Sequence, residues 1–152
     1  MKVREIMTAD VLTVAPDTTV DVIAGLMGAR GISGVPVVEA GRVVGIVTEL
    51  DLILRNTRFE PPAFFQLLDG RIPLETPAHF RKRLQHMFGT HARDVMTEEA
   101  VTVGPDDDLE HLADLMVKRR LNPIPVVEQG RLVGIVSRAD LVRMMARADP
   151  SA

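Results

Sequence analysis

Two short segments of the chain carry a hydroxyl and a carboxylate at the same spacing. Thr48 precedes Asp51 by three residues, and Ser137 precedes Asp140 by three residues. Each pair follows a β-branched run that favours a buried strand and opens an apolar helical segment. A helix start offers unpaired N–H groups and a positive dipole end, which suit an anion such as phosphate. The hydroxyl would then hold a phosphate, and the carboxylate would hold a ribose diol.

The same spacing also has a purely structural interpretation. A Thr or Ser three residues before an Asp at a strand–helix junction is typical of a helix capping box, which needs no ligand. One copy alone would favour the cap. Two copies at matching places in a repeat would favour a ligand site.

An internal repeat covers most of the chain. Residues 3–55 align without a gap on residues 92–144, and about 23 of the 53 aligned positions are identical. The segment that begins at Val35-Pro36 matches the one that begins at Ile124-Pro125. The chain therefore contains two copies of one structural unit.

Each copy predicts the element order β-α-β-β-α. In the first copy a short strand runs from Val11 to Val14, and Pro16 ends it. A helix follows, then a strand from Val35 to Val38, a hairpin turn at Gly41, and the strand and helix that carry Thr48 and Asp51. A unit of about 53 residues is marginal alone, so the two copies should pack on each other through their sheets.

Helix starts are also predicted from hydroxyl and carboxylate spacing. Thr18 and Asp21 should cap the first helix of the first copy, and Asp107 and Glu110 should cap the equivalent helix of the second copy. We expect inward apolar faces on these helices, formed by Val20, Ile23, Ala24 and Met27 and by Leu109, Leu112, Ala113 and Met116.

Residues 59–91 interrupt the symmetry and predict a helical linker. A short helix is expected over Phe64 to Leu68, and Thr76-Pro77 is typical of the start of a second helix that ends at Gly89. This linker either packs on the core or contacts another subunit or a partner.

Composition excludes several classes of function. The 152 residues include no Cys, which removes disulfides, thiolate nucleophiles and Cys-ligated zinc. The net charge is −3 and aromatics make up 3%, so nucleic-acid binding is not expected. No apolar run reaches the roughly 18 residues of a membrane span, and the N-terminus lacks the apolar core of a signal peptide. A cytoplasmic protein is expected.

Catalytic and metal motifs are not found. His79 and His86 lie seven residues apart, and no pair of histidines has metal-ligand spacing. The glycines form no phosphate loop, and neither Ser33 nor Ser137 has an adjacent His–acid pair. We expect neither an enzyme nor a metal site.

The repeated motifs resemble a known family. Two copies of Val/Ile-Pro-Val-Val, a glycine turn and Gly-Ile-Val-Thr/Ser-x-x-Asp are similar to a pair of cystathionine-β-synthase (CBS) domains, the Bateman module, in a stand-alone protein. The resemblance implies an α+β fold in which two β-α-β-β-α repeats pack through their sheets with pseudo-twofold symmetry. It implies a first domain at residues 1–58, the helical linker at 59–91 and a second domain at 92–148.

The resemblance also implies a function. Such modules form clefts that bind AMP, ADP, ATP or S-adenosylmethionine relatives, often pair into homodimers, and regulate a partner protein, unknown for this chain. The ligand-binding positions it implies are Thr13, Val14, Ser33, Val35, Pro36, Thr48, Asp51, Thr102, Val103, Asn122, Ile124, Pro125, Ser137 and Asp140. Of these, Asp51 and Asp140 would hold ribose, and Val35, Pro36, Ile124 and Pro125 would be apolar walls.

The two copies differ where ligand preference would be set. Asn122-Pro123 replaces Ser33-Gly34, and Arg138 replaces Glu49 in the first turn of the final helix. A guanidinium attracts phosphate charge and a carboxylate opposes it, so we add Arg138 to the site. A regulatory ligand sensor is the leading hypothesis. The alternatives are a structural oligomerisation or scaffold protein with unused clefts and a nucleic-acid-associated accessory protein.

Overall fold

The structure is a computed structural model, and it describes residues 1–56, 64–67, 70–73, 76–79, 81 and 89–148. Each copy of the repeat contains a helix, a two-stranded hairpin and a second helix. In the first copy these are α1 (Val20–Arg30), β1 (Gly34–Glu39), β2 (Arg42–Thr48) and α2 (Glu49–Asn56). Between the copies lie β3 (Phe64–Leu67) and β4 (Gly70–Pro73). The second copy comprises α3 (Ala92–Val95), β5 (Thr97–Glu98), α4 (Leu109–Lys118), β6 (Ile124–Glu128), β7 (Arg131–Val136) and α5 (Arg138–Ala148).

The two hairpins have the same register and the same turn. Val35 pairs with Val47 in the first, and Ile124 pairs with Val136 in the second. The turn residues have left-handed φ angles, 51° and 77° at Ala40-Gly41 and 50° and 77° at Gln129-Gly130. Two positive φ angles define the type I′ turn that matches the twist of paired strands. The expected glycine hairpin turn is confirmed in both copies.

The first predicted strand of each copy is reduced to one bridging residue. Val14 makes a parallel bridge to Val37, and Val103 makes one to Val126. Val14 N–H donates to the Pro36 carbonyl at 3.1 Å. Among residues 11–14 only Val14 takes part in this pairing, so the predicted strand does not form along its length.

The predicted caps of the first helix in each copy are wrong. The Thr18 hydroxyl accepts a hydrogen bond from Ala15 N–H at 3.0 Å, and the Asp107 carboxylate accepts one from Gly104 N–H at 2.8 Å. These side chains close the turn before the helix, a competing use of Thr and Asp. The N-cap residues are Thr19 and Asp108, whose side chains make no cap hydrogen bond. The expected apolar faces are buried except at Ala24, which is exposed, and Ala113, which is half-buried.

The N-terminal segment of each copy packs on the other copy. We call residues 1–8 and 90–98 the exchanged segments. Thr8 pairs with Ile135 of β7 in the second copy, whereas Thr97 pairs with Ile46 of β2 in the first. Val3 is fully buried in the core of the second copy. Ala92 and Val95 are fully buried in the core of the first.

A surface ion pair supports the first exchanged segment. The Lys2 ammonium donates a hydrogen bond of 2.8 Å to the Asp108 carboxylate. This hydrogen bond raises the pKa of Lys2 and lowers the pKa of Asp108. Arg4 makes a second ion pair with Asp106 at 2.8 Å. Both bonds join the start of the chain to the loop before α4.

The two copies meet at their hairpins. Strands β2 and β7 are in contact. A Cβ atom on Gly34 would lie 2.6 Å from Pro123 Cδ, which is too close for a side chain. The two copies can approach this closely because residue 34 is glycine. This contact confirms the expected packing through the sheets.

The predicted helix at Phe64 to Leu68 is wrong for residues 64–67. These residues form strand β3, which pairs antiparallel with β4 in the register Phe64 to Pro73. Aromatic residues followed by Asp-Gly are a hairpin signal, and this signal prevailed over the helical interpretation. At the next helix start the expected cap is present, because His79 N–H donates to Thr76 Oγ1 at 3.2 Å. The remainder of that helix, residues 82–88, lies outside the described residues.

Two helices at equivalent places carry exposed apolar side chains. Leu50 and Ile53 on α2 are 62% and 59% exposed, and Val142 and Met145 on α5 are 64% and 65% exposed.

Within the described part of the chain, no helix is long and apolar enough to cross a membrane.

Candidate functional site

Both hydroxyl–carboxylate pairs form helix caps. Asp51 Oδ2 accepts hydrogen bonds from Thr48 N–H at 2.9 Å and from the Thr48 hydroxyl at 3.1 Å. Asp140 Oδ2 accepts the equivalent bonds from Ser137 N–H at 2.7 Å and from its hydroxyl at 3.0 Å. The capping interpretation is therefore correct for both copies, and one oxygen of each carboxylate is committed to it.

The expectation that these helix starts offer unpaired N–H groups is wrong at their first positions. Thr48 N–H and Ser137 N–H donate to the carboxylates. Glu49 N–H donates to the Ser33 carbonyl at 3.0 Å, and Arg138 N–H donates to Asn122 Oδ1 at 2.9 Å. An anion at either helix start would therefore depend on charged side chains more than on these backbone donors.

A cleft of about 750 Å³ lies between the two copies at the start of α5. This volume suits a ligand of nucleotide size. The second copy contributes Asn122, Pro123, Ile135, Ser137, Arg138, Ala139, Asp140 and Arg143. The first copy contributes Thr8, Asp10, Val11, Leu12, Arg30, Gly31, Ile32, Ser33, Gly34 and Glu49. The site is thus assembled from both repeats.

The structure brings five of the predicted site residues into this cleft: Ser33, Asn122, Ser137, Arg138 and Asp140. Thr48 and Asp51 lie at the start of α2, outside it. Thr13 and Thr102 are exposed elsewhere. The predicted apolar walls and strand edges are buried in the cores of the two copies: Val14, Val35, Pro36, Val103, Ile124 and Pro125.

Asn122 links the two copies at the floor of the cleft. Its Oδ1 atom accepts the Arg138 N–H bond at the start of α5. Its amide nitrogen donates to the Ser33 hydroxyl at 3.3 Å. Although Asn122 replaces the serine of the first copy, the two residues act together in one cleft. A ligand that contacts either side chain would influence how the copies sit against each other.

Charge in the cleft is mixed. Arg30, Arg138 and Arg143 line it together with Asp10, Glu49 and Asp140. The Asp140 side chain is only 10% exposed, and its Oδ1 atom is paired with the Arg143 guanidinium. Apolar contact surface comes from Val11, Leu12, Ile32 and Ile135. The arrangement suits a ligand with a flat apolar part, hydroxyl groups and negative charge.

Sequence reasoning missed several lining residues. Ile135 lies two positions before Ser137 on an extended strand, so period-two alternation places both on one face and could have identified it. Arg143 lies one helical turn after Asp140, so helical periodicity could have identified Arg143 as well. Leu12 and Ile32 come from the other copy, and no local pattern indicates them.

Described histidines and carboxylates do not form a metal site. In the ranges given above, no group of three or more His, Asp or Glu side chains is arranged to hold a metal ion. His91 lies between the Thr90 hydroxyl at 2.8 Å and the Asp94 carboxylate at 3.7 Å.

The chain belongs to the CBS-domain family. The family model described as "CBS domain" matches residues 3–56 and 92–147. A relative, the CBS domain-containing protein YhcV of Bacillus subtilis, is 32% identical over 139 residues, which cover 91% of this chain and 81% of YhcV. The resemblance drawn from the repeated motifs is confirmed.

Solved structures share the fold. The structure of CBSX2 in complex with AMP has a TM-score of 0.79 at 24% identity, covering 96% of this chain and 97% of that one. The CBS domain pair of MJ0100, in complex with 5′-methylthioadenosine and S-adenosyl-L-methionine, has a TM-score of 0.72 at 21% identity, covering 98% of both chains. The α+β architecture of paired CBS repeats is confirmed.

Proposed function

We propose that the protein is a regulatory module that binds an adenosine-containing small molecule in the cleft at the start of α5. The observation that carries the proposal is the composition of that cleft. It combines apolar surface, a hydroxyl–carboxylate pair and arginines within a volume suited to a nucleotide. The candidate ligands are AMP, ADP, ATP and S-adenosylmethionine relatives.

Roles for individual residues follow from chemistry. Leu12, Ile32 and Ile135 provide the apolar surface on which a purine can lie. The Asp140 carboxylate accepts hydrogen bonds from a ribose diol, and the Ser137 hydroxyl lies beside it. The arginines of the cleft attract phosphate charge. Thr48 and Asp51 would play the corresponding parts in a second cleft at the start of α2.

Relatives with the same fold support this assignment. The related structures of CBSX2 and MJ0100 contain AMP, and 5′-methylthioadenosine with S-adenosyl-L-methionine, respectively. Ligands of this class are thus held by proteins with this fold, and the cleft of this chain offers them apolar surface, a hydroxyl–carboxylate pair and arginines.

Regulation would act through the contact between the copies. Ser33 and Asn122 line the cleft and hydrogen-bond to each other between the two copies, so a ligand that contacts this pair favours one arrangement of the two repeats. A partner protein that binds one arrangement better would respond to the ligand. The regulated protein, the cytoplasmic location and the domain limits at residues 58 and 92 are parts of this proposal.

Calorimetric titration of the full chain with AMP, ADP, ATP, adenosine and S-adenosylmethionine tests the proposal. We expect at least one of them to bind with a stoichiometry of one or two per chain. Asp140→Ala should weaken that binding. If none of these compounds binds or raises the melting temperature, the proposed function is wrong.

A homodimer is a second part of the proposal, supported by the exposed apolar side chains of α2 and α5. Leu50, Ile53, Val142 and Met145 lie at the surface on helices that the repeat makes equivalent. Such faces favour a symmetric contact with a second copy. The same observation favours the alternative function, a scaffold protein whose clefts stay empty. The titration described above separates the two functions.

A further inference from the structure

The Asp140 carboxylate is occupied on both of its oxygens. Oδ2 accepts the two hydrogen bonds from Ser137, and Oδ1 is paired with the Arg143 guanidinium three residues later on α5. Asp140 is 10% exposed and Arg143 is 63% exposed. The carboxylate is therefore nearly covered, and its partner is a largely solvated side chain, which a ligand can displace into solvent.

The two copies differ at the position of Arg143. The repeat places Leu54 at the equivalent position of the first copy, and a leucine carries no charge. Leu54 lies on α2 and is 43% exposed. At this position of the repeat, the second copy therefore has a charged side chain and the first copy has an uncharged one.

We propose that Arg143 determines which adenosine compounds the cleft accepts, by competing with the ligand for Asp140. This inference rests on the proposed function. A ribose diol that binds Asp140 Oδ1 must displace the guanidinium. A nucleoside offers the displaced guanidinium nothing in return, whereas a nucleotide offers a phosphate with the bidentate geometry that guanidinium prefers. The cleft therefore selects nucleotides over nucleosides.

The surroundings of Arg143 favour the phosphate as its new partner. Arg143 lines the cleft and also a neighbouring groove of about 430 Å³. In that groove it would meet Arg147, a like charge, and Glu5, whose carboxylate already accepts Lys2 N–H at 3.1 Å. The cleft side instead offers any phosphate that the ligand carries. Because the N–H groups of Ser137 and Arg138 at the start of α5 already have partners, side-chain cations must supply much of the phosphate binding.

The test compares adenosine with AMP on wild type, Arg143→Leu and Arg147→Leu. Arg143→Leu installs the residue of the first copy, and Arg147→Leu removes the same charge one turn later on the same helix without touching the cleft lining. In wild type we expect AMP to bind at least about tenfold more tightly than adenosine, the equivalent of one charge-assisted hydrogen bond. In Arg143→Leu, adenosine should bind several-fold more tightly and AMP should bind more weakly. The ratio of the adenosine Kd to the AMP Kd should therefore fall about tenfold or more. Arg147→Leu should retain the wild-type preference.

Each outcome decides the inference. If Arg143→Leu retains the wild-type preference for AMP over adenosine, Arg143 does not select the ligand, although the proposed function stands. If AMP weakens and adenosine does not tighten, Arg143 binds phosphate without competing for Asp140, and the inference is overturned. If no adenosine compound binds any of the three proteins, both the inference and the proposed function fail. Should Arg143→Leu fold poorly by circular dichroism, Arg143→Gln carries the same test.

Discussion

Asp140 caps α5 and is also proposed to bind the ligand, and each role uses a different carboxylate oxygen. Oδ2 is held by Ser137 in the capping box, and Oδ1 is paired with Arg143, which lines the cleft. The cap and the ligand site are therefore not rival interpretations of one motif. A single carboxylate can serve both because each duty uses a different oxygen.

Substitution of Asp140 should separate these duties by measurement. We expect Asp140→Ala to weaken adenosine-ligand binding by about 1.5–3 kcal/mol, the size of hydrogen bonds to a charged group. Loss of the cap should reduce the free energy of unfolding by about 0.5–2 kcal/mol. Titration calorimetry and a denaturant melt measure the two effects.

Asp51→Ala is the matched control, since Asp51 caps α2 in the same way and lies outside the cleft. It should lower stability and leave the affinity of the α5 cleft nearly unchanged, and it should remove only the ligand, if one binds, of the second cleft at the start of α2. Unchanged affinity together with lowered stability in Asp140→Ala would show that Asp140 is only a cap.

Arg138 should tune the preference for phosphate number. Arg138 lines the cleft, as does Glu49, its equivalent in the first copy. In Arg138→Glu we expect the preference for ATP over AMP to decrease, because the new carboxylate repels the added phosphate charge. Affinities for both nucleotides, measured at low and moderate salt, provide the readout. An ATP-to-AMP ratio equal to that of wild type would show that this charge does not select the ligand.

Local sequence patterns predicted some site residues and could not predict others. Ser137 and Asp140 were found because their hydrogen bonds are made within one turn of chain. Val35 and Ile124 were expected on the cleft wall and are in the core, since a short apolar strand does not show which residues its second face meets. Leu12 and Ile32 reach the cleft from the other copy, and that approach depends on tertiary packing.

At the scale of elements, two glycines allow the exchanged segments to lie against the sheets. A Cβ atom on Gly134 would lie 2.6 Å from Met7 Sδ, and one on Gly45 would lie 2.5 Å from Met96 Sδ. The same Cβ atoms would lie 3.2 Å from the Thr8 carbonyl and 2.9 Å from the Thr97 carbonyl, respectively. Each Gly-Ile-Val strand therefore needs its glycine for close approach of a segment from the other copy.

Alanine at these glycines should destabilise the fold to different extents. We expect Gly45→Ala and Gly134→Ala each to cost about 1–3 kcal/mol through overpacking, measured by guanidinium melts. Adding Met7→Ala should relieve much of the Gly134→Ala strain. Adding Met96→Ala should relieve Gly45→Ala less, since the Thr97 carbonyl is backbone and remains 2.9 Å away.

Gly28→Ala is the control for this series. Gly28 lies in α1, and a Cβ atom there would meet nothing within 4 Å. This substitution should stabilise the protein by about 0.5–1 kcal/mol through helix propensity. If Gly45→Ala and Gly134→Ala behave like Gly28→Ala, the close approach of the exchanged segments is not a constraint.

The elements themselves were predictable where their signals are local. The hairpin turns at Gly41 and Gly130 need a left-handed φ that glycine adopts readily. The sequence does not distinguish strand β3 from the expected helix because Phe64 and Phe65 suit both, and an Asp-Gly dipeptide such as Asp69-Gly70 can end a helix or form a hairpin turn. Its turn chemistry was the better guide.

At the scale of the whole molecule, the exposed faces of α2 and α5 lead to a prediction about assembly. We expect a homodimer at micromolar concentration by light scattering coupled to size exclusion. Ile53→Lys and Val142→Lys, at equivalent and exposed positions, should each shift the protein towards monomer. Val22→Lys on α1, where Val22 is 51% exposed, is a matched control and should not change the assembly. A monomeric wild type would contradict the prediction.

The repeat and its fold were predictable at this scale, but the crossing of the exchanged segments was not. An ungapped internal alignment shows that two copies exist. It assigns residues 3–55 to one and residues 92–144 to the other. Thr8, however, hydrogen-bonds to Ile135 of the second copy, and the sheet of the first copy has nearly the same sequence. The sequence therefore does not show which of the two sheets the segment joins.

The crossing of these segments also has a consequence for how the chain folds as it is synthesised. Residues 1–8 leave the ribosome well before the strand around Ile135 that receives them. The core of the first copy likewise remains incomplete until Ala92 and Val95 emerge. Vectorial folding of one repeat before the other is therefore blocked. Because each core contains a segment of the other copy, the two repeats should unfold in a single cooperative transition. Closure of the long loops between these segments should also make folding slow relative to chain length.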